Sequence, residues 1–383
     1  MKKLLVLATL VLGVSLGFGL AGCGSESSMS QPRPRGGSGS NGWHPLPAAP
    51  IRVDSGLSGV WTDKELIVSG VRSGPDGTFV ESTDVAAAYN PTTSTWRRLP
   101  RPPKMDGYCR RDVAWTGKEM LVWGCDQVAF DPSTDRWRRL PRAPGGEGIV
   151  VWTGKEMIGW GGGCCGDAWS GGEAYRPAAD TWRTLAPSPL APEQRPVGAW
   201  TGRELILLVS GIDPASGKPW PARFARAAAY DPTTDTWRRI APLPAAREGA
   251  GAVWDGREVL VVGGDRVGLA YDPKTNGWRR LSPMPSSRVD VTAIWSGTRL
   301  LVWGFRSHAS ARPAAPLVYD PKSDRWSALP RAPLRGVGQS VVWTGHRLLV
   351  LGGVIGTPSG TNIPPRHLTS GAAFTPAHER NPR

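Results

Sequence analysis

The sequence predicts an all-β protein, a seven-bladed β-propeller with four-stranded antiparallel blades. An apolar strand that ends in tryptophan, followed by a turn and a second apolar strand, occurs seven times along the 383 residues. A second pattern, an aromatic residue with tryptophan seven positions later, occurs six times. A period of roughly 40–50 residues is typical of repeat architectures. The tryptophans of the first pattern are Trp61, Trp115, Trp152, Trp200, Trp254, Trp295 and Trp343.

The first half of each repeat reads as a hairpin. In the fifth repeat one strand ends at Trp254, Asp255-Gly256 forms the turn, and residues 259–262 form the second strand. An Asp-Gly pair is a strong hairpin signal. The continuous apolar run indicates a strand that is buried on both faces.

The second half of each repeat reads as another hairpin. Its third strand, residues 269–271, stops at Asp272-Pro273, because proline removes a ladder donor and aspartate bonds the turn backbone. A fourth strand begins at Trp278 and ends at Pro283. Four antiparallel strands repeated around an axis form a β-propeller.

The two ends of the repeat array predict how the ring closes. The last repeat begins at Trp343 and reaches Pro376 without its closing tryptophan, whereas residues 42–47 form an isolated closing strand that contains Trp43. We therefore expect Trp43 to supply the fourth strand of the last blade. Such closure removes exposed sheet edges.

The repeats resemble a known family. The succession of a strand, Gly-Gly, an aromatic residue and a tryptophan at fixed spacing, as in Gly263-Gly264, Tyr271 and Trp278, is similar to the kelch repeat. This resemblance covers about residues 43–376 and implies the propeller fold. It does not identify a ligand.

The first residues predict export. Lys2-Lys3 and an apolar run through Leu20 are typical of a secretory signal. The following residues, 20–23, resemble the bacterial lipobox, which implies cleavage before Cys23 and lipidation of that cysteine. A plain signal peptide with an incidental cysteine is the alternative. Acyl chains on Cys23 would anchor the protein stably to a membrane.

We therefore expect three segments and an extracytoplasmic location, on the outer face of a bacterial membrane. Residues 1–22 are the predicted lipoprotein signal peptide, and residues 23–41 are a flexible tether rich in Ser, Gly and Pro. Residues 42–383 form the propeller, which we expect to be a monomer. Nucleic acid is disfavoured as a partner because the protein is predicted to be exported.

Four cysteines remain after Cys23, and export permits disulfides. Cys109 and Cys125 flank a hairpin and are expected to lie opposite each other, so we favour a bridge between them. Cys164 and Cys165 could form a vicinal disulfide, cross to the neighbouring blade or stay reduced. A metal site there is a weaker alternative, because the spacing is not that of a metal motif and no histidine lies nearby in the sequence.

The chain is basic, with a formal charge of +14. Much of the excess lies in arginine pairs on the predicted outermost strands. Charged edge strands protect a sheet against edge-to-edge pairing. The alternative is that these pairs attract anionic lipids or envelope polymers. The pairs are Arg97-Arg98, Arg138-Arg139, Arg238-Arg239 and Arg279-Arg280.

Spacing predicts which face of the propeller binds a ligand. The two hairpin turns of each repeat have nearly constant length, whereas the loop after the second strand varies. That loop and the connection between blades should emerge on the same face. Loops on a rigid scaffold commonly carry function, so we expect the site there.

Candidate ligand-binding residues on that face are two tryptophans and five arginines. Trp169 and Trp220 could stack on sugars or could cap blades. The arginines precede innermost strands and could surround the channel mouth or form inter-blade hydrogen bonds. They are Arg111, Arg195, Arg247, Arg288 and Arg335. We predict no catalytic residue, no metal and no cofactor.

The predicted function is a membrane-anchored binding module that recognises a protein, a glycan or an anionic envelope polymer. The alternative is an enzyme on a sugar or sugar acid at the channel mouth, similar to sialic-acid epimerases, with Glu147 or Glu248 as a base. Similarity to copper radical oxidases is less supported, because the histidines are scattered. They are His44, His308, His346, His367 and His378.

Overall fold

A computed structural model describes ten ranges of the chain, within the unit Ser40–Arg383. Every regular element within these ranges is a β-strand, so the described part contains no helix that could span a membrane. The ranges are 42–73, 83–105, 111–124, 126–144, 148–163, 167–221, 226–244, 249–307, 312–355 and 366–376.

The strands form seven antiparallel four-stranded sheets, as predicted. Blade 1 contains β2 (Ser55–Trp61), β3 (Leu66–Arg72), β4 (Thr83–Asn90) and β5 (Thr95–Arg98). Blade 2 contains β6 (Asp112–Trp115), β7 (Met120–Trp123), β8 (Val128–Asp131) and β9 (Arg136–Arg139). Blade 3 contains β10 (Ile149–Trp152), β11 (Met157–Trp160), β12 (Gly172–Arg176) and β13 (Thr181–Thr184). Blade 4 contains β14 (Val197–Trp200), β15 (Leu205–Leu208), β16 (Ala227–Asp231) and β17 (Thr236–Arg239).

The remaining blades follow the same order until the ring closes. Blade 5 contains β18 (Gly251–Trp254), β19 (Val259–Val262), β20 (Val267–Asp272) and β21 (Gly277–Pro283). Blade 6 contains β22 (Val289–Trp295), β23 (Leu300–Phe305), β24 (Leu317–Asp320) and β25 (Arg325–Ala328). Blade 7 contains β26 (Ser340–Trp343), β27 (Leu348–Leu351), β30 (Gly371–Phe374) and β1 (Trp43–Leu46). A small hairpin, β28 (Val354–Ile355) with β29 (Arg366–His367), extends from blade 7.

The first strand of each blade lies innermost, since each contacts the first strands of its neighbours around the ring. Second strands are buried throughout, as their apolar runs predicted; β19 is an example. The turn before each second strand needs a positive φ at its second residue. Glycine supplies it in six blades, for example Gly256 at 97°, and Asp63 supplies it in blade 1 at 68°.

Each seam between blades is fixed by the tryptophan of an outermost strand. Its indole lies about 5 Å from the aromatic residue opposite on the third strand, as in Tyr271 and Trp278 at 5.1 Å. Its Nε1 also donates to a backbone carbonyl of the preceding blade, as from Trp278 to Ala241 at 2.8 Å. The same donation occurs from Trp43, Trp96, Trp137, Trp182, Trp237 and Trp326.

Trp43 closes the ring as the sequence predicted. β1 pairs antiparallel with β30, with Trp43 opposite Phe374. The buried indole of Trp43 contacts Phe374 and Trp303, and its Nε1 donates to Pro330 of blade 6 at 2.7 Å. The last blade is therefore built from both ends of the repeat array.

The topology defines two faces. The uniform face carries the turns between first and second strands and between third and fourth strands. The variable face carries the loops between second and third strands and the connections between blades. β1 begins and β30 ends on the uniform face, where Thr375 N–H donates to the carbonyl of Gly42 at 3.2 Å.

Candidate functional site

The uniform face carries a belt of ion pairs that joins successive blades. In blade 2, Arg138 donates to Glu119 of the first turn at 3.1 and 3.0 Å, and to Asp180 of blade 3 at 3.0 Å. Arg138 also lies 3.2 Å from the hydroxyl of Tyr175. The intrablade pairs of this belt are Arg97–Glu65, Arg138–Glu119, Arg183–Glu156, Arg238–Glu204 and Arg279–Glu258.

This belt separates the two members of each arginine pair. The first arginine, such as Arg279, is committed to a carboxylate of its own blade, and its pKa is raised chiefly by the hydrogen bond with Glu258. The second arginine is exposed in all four pairs: Arg98, Arg139, Arg239 and Arg280. The first arginine of each pair is therefore neutralised within its own blade.

On the variable face, Arg111 closes the seam between blades 1 and 2. Its guanidinium donates to Asp84 of β4, and both side chains are nearly inaccessible. Asp84 also accepts the backbone N–H of Met105 at 2.8 Å. The carbonyl of Arg111 accepts from Ser58 Oγ at 2.9 Å. These contacts give Arg111 a structural role.

Arg288 occupies the corresponding place before blade 6, in a different environment. It is 2% exposed, and its guanidinium donates to the carbonyls of Ser287 at 3.0 Å and Ala315 at 2.8 Å and to the hydroxyl of Ser286. No carboxylate pairs with it among the described residues. Burial, with repulsion from Arg306, lowers the pKa of Arg288 to about 10.

The five predicted arginines therefore do not share one environment. Arg111 and Arg288 are buried at two separate seams, whereas Arg195 and Arg335 are exposed. Arg247 lies outside the described residues.

Trp169 lies beside a groove on the variable face. Its side chain is 45% exposed, and its backbone forms a bridge with Glu193, through a 3.0 Å bond from Glu193 N–H to the Trp169 carbonyl. The groove has a volume of about 660 Å³. Its lining, which we call the variable-face groove, includes Glu193, Gln194, Arg195, Ser210, Ile212 and Pro214. One predicted residue, Arg195, lines this groove, and Trp169 is joined to its wall through the backbone bridge with Glu193.

Glu193 holds the wall of the variable-face groove in place. Its carboxylate accepts the backbone N–H of Ser210 at 2.7 Å, the Ser210 hydroxyl at 2.5 Å and the N–H of Arg195 at 3.3 Å. Gln194 donates to the carbonyl of Asp167 at 2.7 Å. The carboxylate therefore orders two loops. Sequence reasoning missed Glu193 because its partners come from another loop.

Trp220, the other predicted tryptophan, lies in a different environment. Its indole is half-buried against the apolar core between blades 3 and 4, and its backbone N–H donates to Gly211 at 2.9 Å. These contacts favour the capping alternative over stacking on a sugar.

A smaller cavity of about 260 Å³ lies at the seam of blades 7 and 1 on the variable face. Its lining is mainly apolar, with Ile51, Val53, Leu57 and the exposed Val337. One carboxylate, Asp54, also lines it, and its oxygens are occupied by Arg52 at 2.7 Å and Ser73 N–H at 2.8 Å. The lining of this cavity has no cation, whereas Arg195 lines the variable-face groove.

Glu173 is a buried carboxyl that the sequence analysis did not single out. On β12 it lies opposite Gly159, against which the indole of Trp123 packs. Burial raises the pKa of Glu173 to about 7. The other blades have buried apolar residues at this position: Ala87, Val128, Ala228, Leu269, Leu317 and Ala372. Comparing the repeats position by position would have revealed this exception.

Several candidates lie outside the described residues: the four cysteines of the propeller, Cys23, Glu147, Glu248, His308 and His378. The disulfide predictions for Cys109, Cys125, Cys164 and Cys165 therefore remain predictions. Trp123, Trp160 and Trp303 are buried in the core, as expected.

No family model matches the chain, and no curated protein matches it. Among solved structures, the chain is similar to a fungal alcohol oxidase of the AA5 family in complex with copper. The TM-score is 0.67 at 15% identity, over 90% of this chain and 79% of the oxidase. At this identity the likeness shows the fold alone.

Copper coordination can be tested on the described residues. They contain no group of three His, Cys, Asp or Glu side chains placed to hold a metal ion. The described part of the chain therefore does not fit a copper centre, and the oxidase chemistry of that neighbour is not carried over.

Proposed function

We propose that this protein is a kelch-type binding module on the outer face of a bacterial membrane, lipid-anchored through Cys23, that recognises a glycan through the variable-face groove. The observation that carries the proposal is the exposed Trp169, held by backbone bonding to the segment that bears Arg195. A rigid indole beside polar groups is suited to stacking on a sugar ring while its hydroxyls are bound.

The hydrogen bonds of the Glu193 carboxylate favour binding over catalysis. A catalytic carboxylate needs a free oxygen and a pKa suited to proton transfer. Glu193 instead accepts three hydrogen bonds from the protein, which supports a role in ordering loops. The groove is also wide, with contributions from blades 4 and 5, as expected for a chain-like ligand rather than a single enclosed sugar.

The test is a thermal-shift screen of the purified protein with neutral and acidic sugars and their oligomers. A ligand at about 100 times its Kd should stabilise the fold by about 2.7 kcal/mol. The Trp169→Ala variant should lose this shift, because the stacking surface is removed. Val337→Ala, which removes the other large exposed apolar side chain of the described variable face, is the matched control.

Two outcomes would contradict the proposal. One is a sugar-induced shift that Trp169→Ala leaves unchanged. The other is the absence of any sugar-induced shift together with capture of a protein partner that requires the same face.

A further inference from the structure

A second groove crosses the uniform face, where spacing alone did not predict a site. It spans blades 2, 3 and 4 and has a volume of about 1000 Å³. Its walls are the first turns of these three blades and the second turns of blades 3 and 4. We call it the cationic groove, defined by Lys118, Trp152, Lys155, Arg176, Trp200 and Arg203.

The lining of this groove contains four cationic side chains and two carboxylates. Lys118, Lys155 and Arg203 are the exposed third residues of the first turns. The carboxylates beside them, Glu119 and Glu156, are largely buried and are held by the belt arginines Arg138 and Arg183 of their own blades. Each of these arginines also pairs with an aspartate of the next blade, Asp180 or Asp235, and Lys118 interacts with Asp131 of its own blade. The four cationic side chains of the lining are nevertheless exposed to solvent.

Arg176 adds a charge reversal that blade 3 alone shows among the described second turns. At this position the other turns have Asp131, Asp231, Asp272, Asp320 or Asn90, whose side chain accepts a backbone N–H two residues later. The turn of blade 3 still forms, with the N–H of Ala179 bonded to the Arg176 carbonyl at 3.1 Å.

The geometry of the turn does not explain why blade 3 has arginine at position 176, where the other second turns have aspartate or asparagine. The arginine side chain is 58% exposed and reaches Glu156 at 3.2 Å, although Arg183 already holds that carboxylate at 2.6 Å. The turn has lost its side-chain cap, and the groove has gained a fourth cation. This pattern points to an anionic ligand.

The two tryptophans of the cationic groove add an aromatic surface to its lining. Trp152 and Trp200 end innermost strands, are half-buried, and line the groove between the cations. Indole surface interleaved with cations suits a ligand that alternates sugar rings with anionic groups. A compact anion would leave most of a groove of this length unfilled.

The outer part of the same face disfavours a bilayer as the ligand. Asp135, Asp180 and Asp235 lie on the second turns with side chains 46–57% exposed. An anionic bilayer laid flat on the uniform face would meet these carboxylates as well as the cations of the groove. A single extended chain can enter the groove without meeting them.

We propose that the cationic groove binds an anionic polysaccharide, a sugar chain with carboxylate or phosphate groups, laid across blades 2 to 4. This site is separate from the variable-face groove. The protein would therefore have two ligand-binding faces, one of which is the face where β1 begins.

The test measures binding of alginate and of phosphorylated dextran to the purified protein by isothermal titration calorimetry. The double variant Lys155→Glu/Arg176→Asp should bind at least one of these polymers tenfold or more weakly than the parent, which should bind it in a salt-sensitive manner. Arg176→Asp introduces the residue found in four other blades, so the fold should be retained, as an unchanged Tm would show.

The matched control is Lys64→Glu, the same turn position in blade 1, outside the groove. It should bind the polymer as the parent does, within about twofold on the scale of surface electrostatic effects. Trp169→Ala should also leave this binding unchanged, which separates the result from that of the variable-face screen.

Four outcomes would overturn the proposal. They are failure to bind either polymer, equal weakening by Lys64→Glu, tighter binding of polyglutamate than of alginate at matched charge, and tighter binding of phosphatidylglycerol vesicles than of either polymer. The last two would indicate a general polyanion surface and a lipid surface, respectively.

Discussion

The two ends of the blade seams differ in how much they repeat. At the uniform end, one set of contacts, a belt arginine with a glutamate of its own blade, recurs in five successive blades. At the variable end, three seams contain three different groups: the Arg111–Asp84 pair, the carbonyl-bound Arg288 and the buried carboxyl of Glu173. Constant turns preserve one geometry, whereas loops of different length place different groups in the seam.

The largest effect is expected at the seam of blades 1 and 2. Asp84→Asn removes the charge of a buried carboxylate that pairs with the Arg111 guanidinium, which should cost about 3–5 kcal/mol in free energy of unfolding. Asp180→Asn at the uniform end, where the aspartate side chain is 57% exposed, should cost less than about 1 kcal/mol. Urea denaturation measures the loss in free energy of unfolding for each variant. Similar losses for Asp84→Asn and Asp180→Asn would contradict the difference between the two ends of the seams.

The next effect concerns pH. The pKa of Glu173 is raised from about 4.5 to about 7 in the folded state. Between these values the unfolded chain ionises while the folded protein keeps its proton, so stability falls as pH rises and then levels above pH 7. The free energy of unfolding should fall by roughly 3 kcal/mol in total, at about 1.36 kcal/mol per pKa unit.

Glu173→Gln removes this titration, so its stability should change less between pH 4.5 and 8 than that of the parent. Urea midpoints at several pH values provide the measurement. Glu119→Gln, which removes a carboxylate paired with Arg138, is the control and should retain the fall. The same pH dependence in the parent and in Glu173→Gln would contradict the raised pKa of Glu173.

A smaller effect is expected at Arg288. Arg288→Met leaves the carbonyls of Ser287 and Ala315 without this donor, but it leaves no buried charge without a partner. It should therefore lower the free energy of unfolding by about 1–3 kcal/mol. Arg111→Met leaves Asp84 charged and buried and should cost about 3–5 kcal/mol. If the two variants unfold at the same denaturant concentration, the distinction between these seams is wrong.

The smallest effect belongs to a single belt pair. A double-mutant cycle on Arg279 and Glu258 should give a coupling of about 0.5–1 kcal/mol, since the arginine side chain is 42% exposed. The same cycle on Arg238 and Glu204 should agree within about 0.5 kcal/mol. Disagreement between them would mean that the belt does not repeat energetically.

The fold could be predicted because its determinants are local and repeated. The strand that ends at Trp254, the turn at Gly256 and the closing role of Trp43 all follow from pattern and spacing, and the structure confirms them. The candidate site was less predictable. Glu193 is placed by Ser210 from another loop, a contact with no local signature.

Two other features were visible in the sequence but were not weighed. Glu173 and Arg176 each depart from what the other repeats have at the same position. Lys118 and Lys155 lie in first turns, away from the arginine pairs in which the excess charge is most evident in the sequence. In a repeat protein, an exception at an otherwise regular position carries more information about function than the motif does.

The closure of blade 7 also has a consequence for biosynthesis. β1 leaves the ribosome before the other described strands of the ring, and its partner β30 after them, with Trp43 paired to Phe374. Contacts so distant in sequence form slowly, because the loop-closure entropy is lost before they are made. The N-terminal strand must therefore stay unpaired while six blades assemble. A chain truncated before residue 371 would lack β30 and leave the edge of β1 unpaired, which is a template for association with another chain.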